Sequence, residues 1–221
     1  MAQSQVPLQS PINITPDAIR IDPSHPKLDV NYGSAPLELR YVRKDADAAN
    51  GCATRHHEET EEAEVPAGAG HVIAAGVRYD LIQFHFHTPS EHTFLGHHLP
   101  LEMHLVHRSA AGKLLVVGVP LRAGAHSAVD EVLAKLSPEC GDTVDVHSLD
   151  LNRLLPANRH MLRYQGSLTT APFSGDVQWY VASEFHVSQA TISRFQHLFT
   201  AGNARSTQPL NGRTLTEVGR I

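Results

Sequence analysis

Two alternating stretches constrain this chain more than anything else in it. They are Gln83-Phe84-His85-Phe86-His87-Thr88 and Glu102-Met103-His104-Leu105-Val106-His107. Alternation of aromatic and polar residues has the period of two of a β-strand, so His85 and His87 project from one face while Phe84 and Phe86 enter a core from the other. In the second stretch Glu102, His104 and Val106 share a face. Paired antiparallel, the strands set His104 opposite the His85/His87 pair, with Cβ atoms about 5 Å apart. Three neutral imidazoles converging from adjacent strands suit an open zinc site whose fourth position is left to water. One His-x-His alone reads as a solvent-facing strand. A third His on a neighbouring strand, with carboxylates and amides at hand to orient the rings, reverses that reading.

The remaining metal-ligating residues are weaker signals. The chain carries 16 His among 221 residues, well in excess of its Lys. His56-His57, His97-His98 and the Glu58 to Glu64 run lie in loop-like sequence and read as solvated surface. Cys52 and Cys140 have no CxxC partner, which argues against a thiolate zinc site; between a pairing of the two and two free thiols in a reducing compartment, the free thiols are the preferred reading. A hydrophobic fraction of 41% and a charged fraction of 19% are those of a globular domain. The net charge of -5 and a pI near 6.3 exclude a nucleic-acid binder, because phosphate contacts need a basic face. No run approaches the roughly 18 apolar residues of a membrane span. The start, MAQSQVPLQSPINI, lacks the basic and apolar regions of a signal peptide, so a cytoplasmic location is expected.

Strand patterns run along most of the chain. Leu28 to Tyr32 and Leu37 to Val42 alternate, with Ser34-Ala35-Pro36 as a turn between them. Residues 43–70 change character and read as an irregular acidic loop or hairpin insertion. Leu81 to His87 and Leu101 to His107 alternate, and Leu114 to Leu121 is a continuous apolar run suited to burial on both faces. Gln178 to Ala182 is a further strand. Ala128 to Leu136 and Ser188 to Phe199 have helical spacing, with Ser188 as the N-cap of the latter. The expectation is one β-rich mixed α/β domain over residues 1–221.

The stretch Leu81-Ile82-Gln83-Phe84-His85-Phe86-His87-Thr88-Pro89-Ser90-Glu91-His92-Thr93 resembles the signature of the α-class carbonic anhydrases in their bacterial form. Further blocks agree in order: Gln9-Ser10-Pro11-Ile12-Asn13-Ile14, Glu102 to His107, Gly166 to Pro172, and Gln208-Pro209-Leu210-Asn211-Gly212-Arg213. The resemblance covers essentially the whole chain. It implies a large, mostly antiparallel twisted central sheet with short peripheral helices. It also implies reversible hydration of carbon dioxide to bicarbonate and a proton by a zinc-bound hydroxide. By this resemblance His85, His87 and His104 are the zinc ligands, and Gln83 and Glu102 are the acceptors that orient them. Thr169 accepts a hydrogen bond from the hydroxide and donates to Glu91. Val106, Val116, Leu168, Val177 and Trp179 form the apolar wall that holds carbon dioxide. Bacterial relatives often dimerise, so the resemblance allows a homodimer, although nothing in the sequence identifies a dimer surface; no nucleic-acid or membrane partner is expected.

The chain also departs from the family pattern. Only eight residues precede Gln9, where relatives carry an aromatic-rich segment, so a more open cone is expected. Phe173 stands where secreted bacterial relatives carry a bridging Cys. At the proton-shuttle position the chain aligns Asn50-Gly51-Cys52 in place of Asn-Gly-His, leaving Cys52, His56, His57 or His71 as shuttle candidates and a reduced turnover as the expectation. A second reading follows from the widened cone: a carbonic-anhydrase-like domain repurposed for binding, or for another zinc-dependent lyase or hydrolase reaction on a small molecule.

Overall fold

The computed structural model describes residues 8–22, 27–42, 59–138 and 142–219. Its strands, in chain order, are β1 (Asn13–Ile14), β2 (Ile19–Ile21), β3 (Asp29–Tyr32), β4 (Ser34–Val42), β5 (Thr60–Glu64), β6 (Gly70–Ala74), β7 (Val77–His87) and β8 (Thr93–Phe94). These are followed by β9 (His97–His98), β10 (Leu101–Ser109), β11 (Leu114–Ala123), β12 (Val144–Asp150), β13 (Met161–Ser167), β14 (Gly175–Ala182), β15 (Phe185–Val187) and β16 (Leu215–Val218). Two α-helices, α1 (Ala128–Val132) and α2 (Gln189–Leu198), lie among them. Ser188 caps α2, its side chain accepting from the Thr191 N–H, as the sequence suggests. No helix among the described residues is long and apolar enough to cross a membrane.

Among the described residues thirteen strands form one sheet, whose main path is β12-β4-β5-β7-β10-β11-β14-β13-β16-β2. Most of its pairings are antiparallel; β11 with β14 and with β15, and β16 with β2, are parallel. β11 explains why its sequence is apolar throughout. Leu115, Val117, Val119 and Leu121 enter the larger core with Phe84, Phe86 and Phe195, while Val116 joins a second core with Ile12, Tyr164 and Trp179. The sheet is therefore buried on both sides at its centre, and the second core lies on the side that carries the histidines.

Four sequence expectations are corrected here. The Ser34-Ala35-Pro36 stretch opens β4 instead of forming a turn, and α1 ends at Val132. Residues 59–64 are no solvated loop. β5 is an interior strand between β4 and β7, and Glu59 and Glu61 are each 0% exposed. Acids at core-facing positions hide a strand from a hydrophobic pattern. Lastly, Leu81 to His87 do not alternate strictly. β10 pairs Val106 with Gln83 and His107 with Leu81, so Ile82 is the extra residue of a β-bulge. The bulge inverts the alternation. Tyr79 and Leu81 before it and Phe84 and Phe86 after it all reach the same core.

Candidate metal centre

The bulge sets Gln83, His85 and His87 on the face opposite Phe84 and Phe86. On β10, His104 is the direct cross-strand partner of His85, and Glu102 that of His87. The three imidazoles converge as the sequence suggests, with ring centroids 5.0 Å apart for His85 and His87, 5.2 Å for His85 and His104, and 4.6 Å for His87 and His104. Each ring offers one nitrogen to a common point, and these atoms all lie within 4.8 Å of one another. His107 does not take part. It faces the other side of β10, hydrogen-bonded to the Tyr32 hydroxyl at 2.6 Å, and burial pushes its pKa down to about 4.

The second nitrogen of each ring is occupied. His85 Nδ1 meets Gln83 Oε1 at 2.8 Å, His87 Nδ1 meets the Asn203 carbonyl at 3.0 Å, and His104 Nε2 meets Glu102 Oε1 at 2.9 Å. These acceptors can take only N–H, which fixes each ring's tautomer and turns the other nitrogen's lone pair inward. His87 Nε2 is left buried with no hydrogen-bond partner. A buried orphan of this kind costs about 1–3 kcal/mol unless something fills its site. A cation coordinated by three neutral imidazoles fits it, and the donor set is that of an open zinc site.

Electrostatics support the same arrangement. Burial works against the charge of Glu102, yet His92 and His104 hold it well below the usual carboxylate range. Burial also disfavours charge on His104, but Glu102 and Glu91 lift it above the ordinary imidazole value. His87 is lowered, chiefly by burial. His92, Glu102 and His104 also come within metal-binding reach of one another. Their atoms are already committed, however: Glu102 accepts from His92 Nδ1 at 2.6 Å and from the His92 backbone N–H at 2.8 Å. This group works as a hydrogen-bonded support. From His92 Nε2 it continues to the Tyr164 hydroxyl at 2.8 Å and on to Ser10 Oγ at 2.9 Å.

A cavity of about 260 Å³ opens above the three rings. Val106, Val116, Leu168 and Trp179 line it, together with Thr169. Val177 is corrected: it is not among the lining residues but is buried in the second core, one strand step beyond Trp179 opposite Gly166. Glu91 is 1% exposed. Its Oε1 accepts the Arg205 backbone N–H at 2.8 Å, and its Oε2 is buried without a hydrogen-bond partner, so the expected link from Thr169 is not formed in this structure. Of the shuttle candidates, Cys52, His56 and His57 lie outside the described residues, as does Cys140. His71 sits on β6 opposite Asp80. That is five residues along β7 from His85, roughly 17 Å at strand rise, and His71 does not line the cavity. It is withdrawn.

Sequence reasoning missed several contributors. Asn203 is 1% exposed and anchors the His87 end of β7: its Oδ1 accepts the Thr88 N–H, and its Nδ2 donates to the Glu59 and Phe86 carbonyls. Nothing local marks it, because it lies 116 residues from His87. The cavity-lining Ile82, Glu62, Leu114 and Arg108 were also missed. Only Ile82 left a trace, in the Leu81-Ile82 pair that breaks alternation.

Comparison with known proteins gives a consistent answer. The family described as eukaryotic-type carbonic anhydrase matches residues 1–219. A carbonic anhydrase of Nostoc sp. is 40% identical over 144 residues, a stretch covering 63% of this chain and 54% of that relative. A carbonic anhydrase of Klebsiella pneumoniae is 36% identical over 212 residues, covering 95% of this chain and 79% of the relative. Among solved structures, an α-carbonic anhydrase of Thermovibrio ammonificans in complex with the inhibitor sulfanilamide superposes with a TM-score of 0.80 at 32% identity, covering 95% of this chain and 86% of that one.

Proposed function

The chain belongs to the eukaryotic-type carbonic anhydrase family, whose members are carbonate dehydratases, and on that premise we propose that it hydrates carbon dioxide reversibly at one zinc ion held by His85, His87 and His104. The observation that carries the proposal is the orphaned, buried Nε2 of His87 beside two rings whose other nitrogens are likewise committed outward. Zinc in such a site supplies a hydroxide nucleophile at neutral pH by acidifying water, a property for which carbonic anhydrases are themselves the reference case.

The protein's own residues do the rest. Gln83, the Asn203 carbonyl and Glu102 keep the three rings in the tautomers a cation needs. Val106, Val116, Leu168 and Trp179 give carbon dioxide, which has no dipole and donates no hydrogen bond, an apolar surface from which water is readily displaced. Thr169 borders the same cavity, and we assign its hydroxyl to accept a hydrogen bond from the nucleophile while donating its own proton to Glu91. The unpartnered Oε2 of Glu91 is the acceptor available for that bond. A carboxylate that accepts the Thr169 proton leaves the hydroxyl oxygen able only to accept, which favours a nucleophile with a proton to give and a lone pair aimed at the substrate.

The test is carbon dioxide hydration by purified, metal-analysed protein before and after chelation. Activity that disappears with the zinc and returns on reloading is expected. Full zinc occupancy with no hydration would shift the assignment to another reaction of the same site.

A further inference from the structure

β10 continues past the metal centre on the same face: His104, Val106 and Arg108 follow at two-residue spacing, and all three line the cavity. Arg108 is four residues from His104, roughly 13 Å along the strand. Its cross-strand neighbours are Leu114 on one side and Asp80 on the other. Leu114 is apolar, and the Asp80 carboxylate is taken by Arg78 at 2.7 Å. Among the described residues no hydrogen bond or ion pair ties the Arg108 guanidinium.

The other charged side chain in the lining, Glu62, is paired with Arg40 at 2.8 Å, a guanidinium it shares with Glu64 at 2.7 Å. Apart from the histidines, Arg108 is the one charged side chain among the described lining residues with no ion-pair partner. It is positive, and it stands at the outer end of an apolar wall. From this we infer that Arg108 is a specificity-determining residue: it selects ligands that bear a carboxylate at the mouth of the cone, beyond an apolar body lying along Val106 and Leu114. A guanidinium suits this task because its planar fork matches a carboxylate. The inference rests on the metal-centre reading, since the metal anchors the inner end of such a ligand.

The experiment is calorimetric titration of the zinc-loaded full chain with benzenesulfonamides that differ only at the para position, carrying a carboxylate, hydrogen or an aminomethyl group. Wild type and Arg108→Gln are compared at low and at raised sodium chloride. Differences intrinsic to the sulfonamide heads cancel between the two proteins. We expect the wild type to prefer the carboxylate over the aminomethyl probe by about three- to fivefold more than the variant does, the range of a partly exposed ion pair. That excess should shrink as salt rises. The same probe preference in both proteins would overturn the assignment of Arg108 alone. Absence of binding by every sulfonamide at full zinc occupancy would overturn it together with the proposed function.

Discussion

At the scale of single residues, the site is a set of imidazoles that owe their chemistry to what holds their far side. Glu102 accepts from both His92 and His104, so Glu102→Gln should leave three ligands in place yet weaken zinc binding by about tenfold to a hundredfold. Competition against a chromophoric chelator measures this, and an unchanged affinity would show that Glu102 has no part in the centre. Thr169 makes the complementary case. It lines the cavity without belonging to the His cluster, so Thr169→Ala should retain stoichiometric zinc while hydration falls by about a hundredfold, the scale of losing one positioned hydrogen-bonding group. Equal rates in variant and wild type would remove Thr169 from the mechanism.

At the scale of elements, β7 and β5 show what the sequence can and cannot reveal. The histidines, their strand and its partner β10 were legible, because alternation of Phe and His is a strong period-two signal. The bulge at Ile82 was half-legible, in one pair of adjacent apolar residues. β5 was not legible, since Thr-Glu-Glu-Ala-Glu has no apolar face, and its place in the sheet is set by its neighbours β4 and β7. Support from Asn203 and Arg205 was equally hidden, because contacts across more than 100 residues leave no local pattern. The burial of β5 has a measurable consequence. Glu61 is 0% exposed, and burial raises its pKa from 4.5 to about 8 against the opposing pull of the Ser137 backbone. Folded protein therefore keeps this proton while unfolded chain releases it, and stability present below pH 4.5 is lost progressively as pH rises toward about 8. Thermal melts between these limits should fall more steeply for wild type than for Glu61→Gln, which cannot ionise. Parallel profiles would contradict the burial of an acid at this position.

At the scale of the whole molecule, the centre is assembled from both ends of the chain. Arg205 donates to the Gln9 side chain at 3.0 Å and the Ser10 carbonyl at 2.6 Å, while its backbone N–H holds Glu91. The same guanidinium lies 3.8 Å over the ring of Phe173, so the Thr169 loop is fastened to the N-terminal segment by stacking. A site so distributed exists only in the folded state, and zinc at about a hundred times its dissociation constant should add about 2.7 kcal/mol of stability. In the proposed centre three imidazole nitrogens hold that zinc. X-ray absorption at the zinc edge of the purified protein tests this most directly. One zinc per chain is expected, with about three nitrogen ligands near 2.0–2.1 Å and a light atom completing the shell. Sulfur scattering near about 2.3 Å, which would bring in Cys52 or Cys140, or a shell with fewer than three imidazoles, would contradict it.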